Sequence, residues 1–164
     1  MPEKLAVAIG IDPGKKGAIG YLTSGGYGDV IDMPEDIHEC LKRIIQGADI
    51  SRVFCCVEKQ GSWGLHDKLQ GKRLSEYLVH YGTILASLKI LQIKYQEVPA
   101  RTWQSSLLGL IPKNMTKIAS AEYAGLVAPW LKSRVKAVTT GRADAICLAI
   151  YARETAKMMH EGDR

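Results

Sequence analysis

The sequence predicts an α/β domain in which helices flank a mixed, five-stranded sheet. Two observations predict it: five short apolar runs that end at turn residues, and helical stretches that separate the later runs. The chain has 164 residues, of which 46% are hydrophobic and 24% charged. This length and composition predict one well-filled domain over residues 1–164, without a second catalytic domain, and argue against disorder, collagen-like repeats and disulfide scaffolds.

The strands are predicted from apolar runs bounded by turn residues. Residues 5–11 are almost all apolar, as in a central strand buried on both faces, and the Asp-Pro-Gly turn at 12–14 ends this run. A Ser-Gly-Gly turn at 24–26 joins the next two runs into a three-strand meander. A fourth run ends at Glu58, and Pro99 closes the fifth. The predicted strands are 5–11, 18–23, 27–33, 52–57 and 94–98.

Helices are predicted over most of the remaining chain. The first begins at Pro34, a residue favoured in a first helical turn, and Gly47 ends it. Residues 59–66 contain two glycines and show no periodicity, which predicts a loop. The last helix is apolar on nearly all sides over residues 145–152, so we expect its first half to be buried. The predicted helices are 34–46, 67–91, 103–108, 116–131 and a final one from 141 or 142 to about 160.

Charge and hydropathy indicate the kind of partner. The 22 basic and 17 acidic residues give a net charge of +5, which favours a polyanionic partner. No apolar run approaches the roughly 18 residues of a membrane span, and the start of the chain lacks the layout of a signal peptide. We therefore expect a cytoplasmic protein without a membrane partner.

The four cysteines predict neither a zinc site nor a disulfide framework. No two of them have CxxC spacing, and no histidine lies at finger spacing. Cys55 and Cys56 lie inside an apolar run, where reduced cysteine behaves as a small hydrophobic residue. We expect all four, Cys40, Cys55, Cys56 and Cys147, to be core residues.

Three acidic residues occupy positions where an α/β sheet places ligand sites. Asp12 and Glu58 each follow a buried strand, and Asp144 lies in the first turn of a buried helix. If the first and fourth strands are adjacent and parallel, their carboxyl ends bring Asp12 and Glu58 together. Clustered carboxylates need a cation, and oxygen ligands favour magnesium or manganese over zinc. Taken singly, each acid also fits a turn, a solvated strand end or a helix N-terminus.

Four motifs, in this order and spacing, resemble the RuvC-type Holliday junction resolvases of the RNase H-like fold, especially the short phage and prophage-borne members. The likeness extends from about residue 5 to residue 153. The motifs are VAIGIDPGKKGAIGY at 7–21, FCCVEKQG at 54–61, PARTW at 99–103 and GRADAICLAIYA at 141–152.

The resemblance implies a metal-dependent endonuclease that acts as a homodimer on four-way or other branched DNA. Asp12, Glu58 and Asp144 match the family's catalytic and metal-binding acids, with Mg²⁺ as the cofactor, Mn²⁺ as a substitute and no nucleotide cofactor. The family commonly has a further acid or histidine three or four residues before the last aspartate, where this chain has Gly141 and Thr140. Without that group, the site either holds its second metal weakly or uses Asp29, Asp32, Glu97 or a water instead, and the sequence assigns none of these the role.

Basic and aromatic residues near these acids predict a DNA-binding face. The family carries an apolar or aromatic wedge in the loop that follows its second acid. In this chain Trp63, alone or with Leu65, takes that role a few residues farther along than in the family, and a packing role is equally open. Trp103 is expected to pack the short helix onto the sheet, and the surplus apolar residues of helix 67–91 predict a two-fold dimer. The predicted DNA-binding residues are Lys15, Lys16, Lys59, Trp63, Lys68, Lys72, Arg73 and Arg142.

Other function classes remain open or are excluded. Actin-like ATPases and sugar kinases also begin with a strand that ends in an Asp-x-Gly turn, but they need two domains around a nucleotide. A catalytically weak module that binds branched DNA or RNA would use the same fold. So would an RNase H-like nuclease that cuts RNA in hybrids.

Overall fold

The computed structural model of the protein describes residues 5–59, 71–135 and 141–162. The strands are β1 (Val7–Asp12), β2 (Ala18–Thr23), β3 (Gly28–Asp32), β4 (Val53–Lys59) and β5 (Lys94–Pro99). The helices of the described residues are α1 (Ile37–Ile44), α2 (Lys72–Ile90), α3 (Ala100–Leu108), α4 (Thr116–Val127), α5 (Lys132–Val135) and α6 (Arg142–Gly162).

The five strands form one mixed sheet in the order β3-β2-β1-β4-β5. β1, β2 and β3 pair antiparallel as the predicted meander, whereas β1 pairs parallel with β4 and β4 with β5. Ile11 is opposite Val57, so β1 and β4 reach the same edge of the sheet. The predicted mixed sheet is confirmed, and the first and fourth strands are parallel neighbours, which is the condition for Asp12 and Glu58 to meet.

Alternation along the two central strands assigns side chains to opposite faces. Ile9 and Ile11 belong to the core on the side of α1 and α2, whereas Ala8, Phe54 and Cys56 belong to the core on the side of α6. Because successive residues of a strand point to opposite faces, Asp12 and Glu58 fall on the α6 side.

Two glycines allow α6 to approach the sheet closely. Gly10 and Gly20 are directly opposite each other on β1 and β2. A Cβ atom would overlap the α6 backbone at Gly10, and at Gly20 it would lie 2.8 Å from the carbonyl carbon of Ala145. The helix therefore lies against the strand backbones, which places Asp144 in its first turn beside the strand ends.

The boundaries of several helices differ from the predicted ones. The first helix begins at Ile37 rather than Pro34, because the side chain of Asp36 accepts a hydrogen bond from the backbone N–H of Glu39 and caps it. The helix predicted to extend to residue 131 ends at Val127, and Pro129 begins a separate 3₁₀ turn. Most of the predicted 59–66 loop lies outside the described residues. No helix within the described ranges is long and apolar enough to cross a membrane.

Three of the four cysteines occupy the core as predicted. Cys55, Cys56 and Cys147 are buried, whereas Cys40 is only half-buried. Cys40 lies on α1 at the border of the core, where it packs against the cluster that contains Ile37 and Leu41. The expectation of a core position is therefore wrong for Cys40, since α1 buries only one of its faces.

Candidate active site

Three carboxylates meet at the edge of the sheet where β1 and β4 end. Asp12 ends β1, Glu58 lies near the end of β4, and Asp144 lies in the first turn of α6. Their residues are only 9%, 7% and 5% exposed. Buried carboxylates are rare unless they have partners or hold a cation, so this cluster requires compensating positive charge.

The electrostatics of the cluster show how closely the acids interact. Burial, together with the neighbouring charges of Glu58 and Asp144, raises the pKa of Asp12 to about 8. Burial also raises the pKa of Glu58, against the lowering effect of a hydrogen bond from Trp103. Because a neighbouring negative charge disfavours ionisation, burial and proximity together oppose the charged forms of Asp12 and Glu58.

Lys117, which the sequence analysis missed, contacts this cluster. It lies in the first turn of α4, and its ammonium group donates to Oδ2 of Asp144. Burial alone would lower the pKa of Lys117, but the charges of Asp144, Asp12 and Glu58 outweigh that effect and raise it. Lys117 is therefore a cation that pairs with Asp144 and lies close enough to Asp12 and Glu58 for their charges to act on it.

Trp103 holds one carboxylate in place. Its side chain is fully buried, as the predicted packing role requires, and its indole Nε1 donates to Oε2 of Glu58 at 2.9 Å. The hydrogen bond is explained by topology, because Glu58 is opposite Val98 on β5 and α3 begins directly after β5. The PARTW motif thus orients an acid of the cluster in addition to packing α3.

Gly141 occupies the position at which the resemblance leads us to expect a further acid or histidine. Its backbone N–H donates to the carbonyl of Lys16 at 2.6 Å. A Cβ at this position would overlap Oδ2 of Asp12 and lie 2.9 Å from Cα of Gly17. No side chain fits there without displacing Asp12. Thr140 lies outside the described residues.

The three acids named as alternatives for that position have partners elsewhere. Asp29 pairs with Arg134, and Asp32 accepts two hydrogen bonds from Arg142 at 2.6 and 2.5 Å. Glu97 accepts a hydrogen bond from the hydroxyl of Tyr81 at 2.6 Å. These contacts give each acid a structural role of its own.

The chemistry of the cluster fits a hard divalent cation. All of its acidic donors are carboxylate oxygens, and Oδ1 of Asp144 is buried without a hydrogen-bond partner among the described residues. Within the same ranges, no three acidic, histidine or cysteine side chains are already arranged as a metal site. The Lys117 ammonium lies at Asp144 instead, so a cation would share or take over the compensation that this lysine provides.

Within the described residues, the predicted DNA-binding cations other than Arg142 are exposed at three places: the turn between β1 and β2, the end of β4, and the start of α2, where Lys72 and Arg73 lie. Lys15 and Lys16 are exposed in the turn between β1 and β2, and Lys59 is exposed at the end of β4. Lys15 and Lys72 both pair with Glu76, at 3.3 and 3.9 Å. Trp63 and Lys68 lie outside the described residues.

Arg142 has a different geometry from the one that the sequence suggested. Its guanidinium makes a two-point contact with Asp32 and also donates to the carbonyl of Arg134 at 3.4 Å. These contacts attach the start of α6 to β3. They favour a structural role for Arg142 over a phosphate contact, because the donors face protein acceptors.

The sheet order, the parallel pairing of β1 with β4, and the long helix packed on them define an RNase H-like fold. Solved structures similar to this chain include Thermus thermophilus RuvC, with a TM-score of 0.63 and 16% identity over 94% of this chain and 97% of that one. T. thermophilus RuvC in complex with Holliday junction substrate is similar as well, with a TM-score of 0.62 and 15% identity over 93% and 96% of the two chains. No protein-family model and no curated protein matches the sequence. The likeness confirms the fold that the motif resemblance implies.

Proposed function

We propose that this protein is a metal-dependent endonuclease that cuts branched DNA, with the Holliday junction as its principal substrate. The observation that carries the proposal is the buried cluster of Asp12, Glu58 and Asp144 at the strand ends of a RuvC-like fold, with Lys117 paired to Asp144. Burial raises the pKa of Asp12 and of Glu58, so this cluster destabilises the fold when its acids ionise without a cation. It suits a cation that binds a phosphodiester.

The three carboxylates would hold this cation, Mg²⁺ or Mn²⁺ in its place. The chemistry that a divalent cation supplies in such a site is Lewis-acid polarisation of the phosphodiester and acidification of water. The protein's part is to orient the ligands: Trp103 fixes Glu58, and the backbone around Gly141 confines Asp12. Lys117 balances the cluster's charge, and its ammonium is close enough to meet the negative charge of a bound phosphate.

The cations near the cluster would bind the DNA backbone. Lys15, Lys16, Lys59, Lys72 and Arg73 are exposed around the carboxyl ends of β1 and β4 and the start of α2. Phosphate contacts of this kind release counterions, so the affinity for DNA would fall steeply with salt. Trp63, as a wedge at the junction centre, and Lys68 complete the proposed DNA-binding face.

Paired cuts in a junction need two active sites, which a homodimer would supply. α2 exposes large apolar side chains that the monomer does not cover: Leu78 is 55%, Val79 70% and Ile90 71% exposed. A two-fold dimer through this helix would bury them. We expect sedimentation at micromolar concentration to give a dimer and Val79→Glu to weaken it, whereas a strict monomer would contradict the proposal.

One cleavage assay tests the function. With Mg²⁺, the protein is expected to nick a mobile four-way junction faster than a three-way branch, an RNA–DNA hybrid or a linear duplex, and Asp144→Asn is expected to bind the junction without cutting it. Preference for the hybrid would identify a ribonuclease of the same fold. Binding without cleavage by the wild-type protein would identify a recognition module.

A further inference from the structure

A cavity lies beside the carboxylate cluster, between the turn after β1 and the start of α2. Its volume is about 330 Å³, within the range of sites that hold small ligands. Gly14 and Lys15 belong to the turn that follows Asp12, and Tyr77 in the lining is close enough to Glu58 and Asp12 for their charges to raise its pKa, so the cavity and the cluster are neighbours. The described residues that line it are Gly14, Lys15, Arg73, Glu76, Tyr77 and His80.

One wall of the cavity is an aromatic ring that the fold holds in place. Tyr77 stacks on Tyr81 with a centroid distance of 6.1 Å and an angle of 17° between the rings. The hydroxyl of Tyr81 is itself held by Glu97 on β5. A ring fixed in this way is a stacking platform for a nucleobase, because little side-chain freedom remains to be lost on binding.

Two buried polar atoms of this wall have no hydrogen-bond partner in the described part of the chain. They are the phenolic oxygen of Tyr77 and Nε2 of His80. Buried polar atoms of native proteins nearly always have a partner. Burial lowers the pKa of His80, which keeps its ring neutral, so the side chain can donate or accept. The polar edge of a nucleobase offers both donors and acceptors.

Cations lie at the same cavity. Lys15 and Arg73 are exposed and contribute to its lining, and Glu76 contacts Lys15 at 3.3 Å. Positive charge beside an aromatic ring and unpaired polar atoms is the set of groups that a nucleotide requires, with phosphate on the cations, base on the ring and base edge on the polar atoms.

We propose that this cavity binds one unpaired nucleobase of the DNA strand that is cut, next to the phosphate at the carboxylate cluster. The base has to be unpaired, because a base stacked in a duplex has no free face for Tyr77. Bases at the branch point of branched DNA unpair more readily than bases within a duplex. The cavity would favour branched substrates by binding one such base. The inference rests on the proposed function, since the ligand is part of its substrate.

The test measures binding of a fluorescent four-way junction to the Asp144→Asn protein by anisotropy. An abasic nucleotide replaces each nucleotide near the branch point in turn. We expect one position at which loss of the base weakens binding about 10-fold, as for one stacked base. In a protein that also carries Tyr77→Ala, the same abasic position should cost less than about 2-fold, because the platform is gone. Tyr27→Ala, which removes an exposed tyrosine at the opposite end of the sheet, should leave the abasic effect unchanged.

The outcomes separate this inference from the proposed function. The inference is overturned if no abasic position weakens binding, or if the cost is the same with and without the Tyr77 ring. If the wild-type protein cuts the junction but the abasic effect does not depend on Tyr77, the proposed nuclease activity is supported and the nucleobase site is wrong. If the abasic effect depends on Tyr77 but the wild-type protein cuts no DNA, the nucleobase site is supported and the proposed nuclease activity is wrong. His80→Ala keeps the Tyr77 ring and removes one hydrogen-bonding group. The loss of affinity caused by the abasic nucleotide should therefore shrink by roughly 5-fold at most, as expected for one hydrogen bond.

Discussion

The acids of the central cluster and those of the β3 edge differ in how their charge is balanced. At the edge, Asp29 pairs with Arg134 and Asp32 with Arg142, one cation for each carboxylate. In the cluster, Lys117 pairs with Asp144, and its charge also acts on Asp12 and Glu58. The two settings move the pKa of the same residue type in opposite directions: the hydrogen bond from Arg142 lowers that of Asp32, and burial raises that of Asp12 to about 8. The edge acids have matched partners, whereas the cluster places like charges close together in a buried position.

The acid–arginine pairs at the β3 edge stabilise the fold. Arg134 donates to the carbonyl of Val30 at 2.6 Å in addition to Asp29, and the indole of Trp130 donates to the carbonyl of Gly28 at 3.4 Å. These contacts cover part of the exposed edge of β3, where an unprotected strand would pair with other chains. The edge network therefore stabilises the sheet and does not need a cation from solution.

The largest effect expected from this difference is on cleavage. Asp12→Asn, Glu58→Gln or Asp144→Asn should each reduce junction cleavage at least about 10³-fold, since a ligand of the catalytic cation contributes several kcal/mol to the transition state. Asp32→Asn is the control, because it removes a carboxylate from an exposed pair worth at most about 1 kcal/mol. Its cleavage rate should stay within about 2-fold of wild type.

Single-turnover cleavage with saturating Mg²⁺ measures both effects. Binding to the junction should survive in all four variants. If a cluster variant cuts at the wild-type rate, its acid has no catalytic role. If Asp32→Asn loses as much activity as the cluster variants, the distinction between the two groups of acids fails.

The next effect concerns the contact between Gly141 and Asp12. Gly141→Ala places a Cβ on the carboxylate of Asp12, which has to move. We expect cleavage to fall about 10²-fold, as for a shift of about 1 Å in a catalytic group, and stability to fall by about 1–3 kcal/mol. Gly25→Ala is the matched control: its Cβ would meet only Oγ1 of Thr23, at 3.8 Å, in an exposed turn. Equal activity of the two variants would show that Asp12 tolerates displacement.

Much of the fold and part of the cluster could be predicted from the sequence. The strand-end acids Asp12 and Glu58 follow from apolar runs with clear ends, and Asp144 follows from the burial of its helix. The meeting of Asp12 and Glu58 needed one assumption, that the first and fourth strands are parallel neighbours, and the structure supports it. Periodicity and turn residues determine these features locally.

The contacts made by Lys117, Trp103 and Gly141 could not be predicted in the same way. Lys117 reaches Asp144 because α4 packs on α6, and no local pattern encodes that packing. The hydrogen bond of Trp103 depends on the pairing of β4 with β5. The contact of Arg142 with Asp32 could not be predicted either, because the two residues are 110 positions apart in the chain.

A smaller effect distinguishes two tryptophans that both donate hydrogen bonds. Trp103→Phe removes the donor to Glu58 and should reduce cleavage about 10- to 100-fold, as for other residues that orient a metal ligand. Because that hydrogen bond lowers the pKa of Glu58, its loss raises the pKa further and moves the rising limb of the pH–rate profile to higher pH. Trp130→Phe removes a donor at the β3 edge and should change neither the rate nor the profile. A purely structural role of Trp103 would lower the rate without moving the profile.

The smallest effect is on stability and follows from the pKa of Asp12. The pKa is about 8 in the folded protein, against 3.8 for an ordinary aspartate, so the folded state binds the extra proton. Without metal, the stability that this proton supplies is complete below about pH 4 and is lost as the pH rises through about 8. The melting temperature should fall by several degrees between pH 5 and pH 8.5, since about 1 kcal/mol corresponds to about 2–4 °C in a chain of this size.

Asp12→Asn should remove most of that fall, whereas Asp32→Asn should not, because a lowered pKa acts only in acid. A divalent cation favours the ionised carboxylate and should stabilise the wild type more at pH 8.5 than at pH 5. Calorimetry that finds the same melting temperature at both pH values would show that Asp12 carries no such proton.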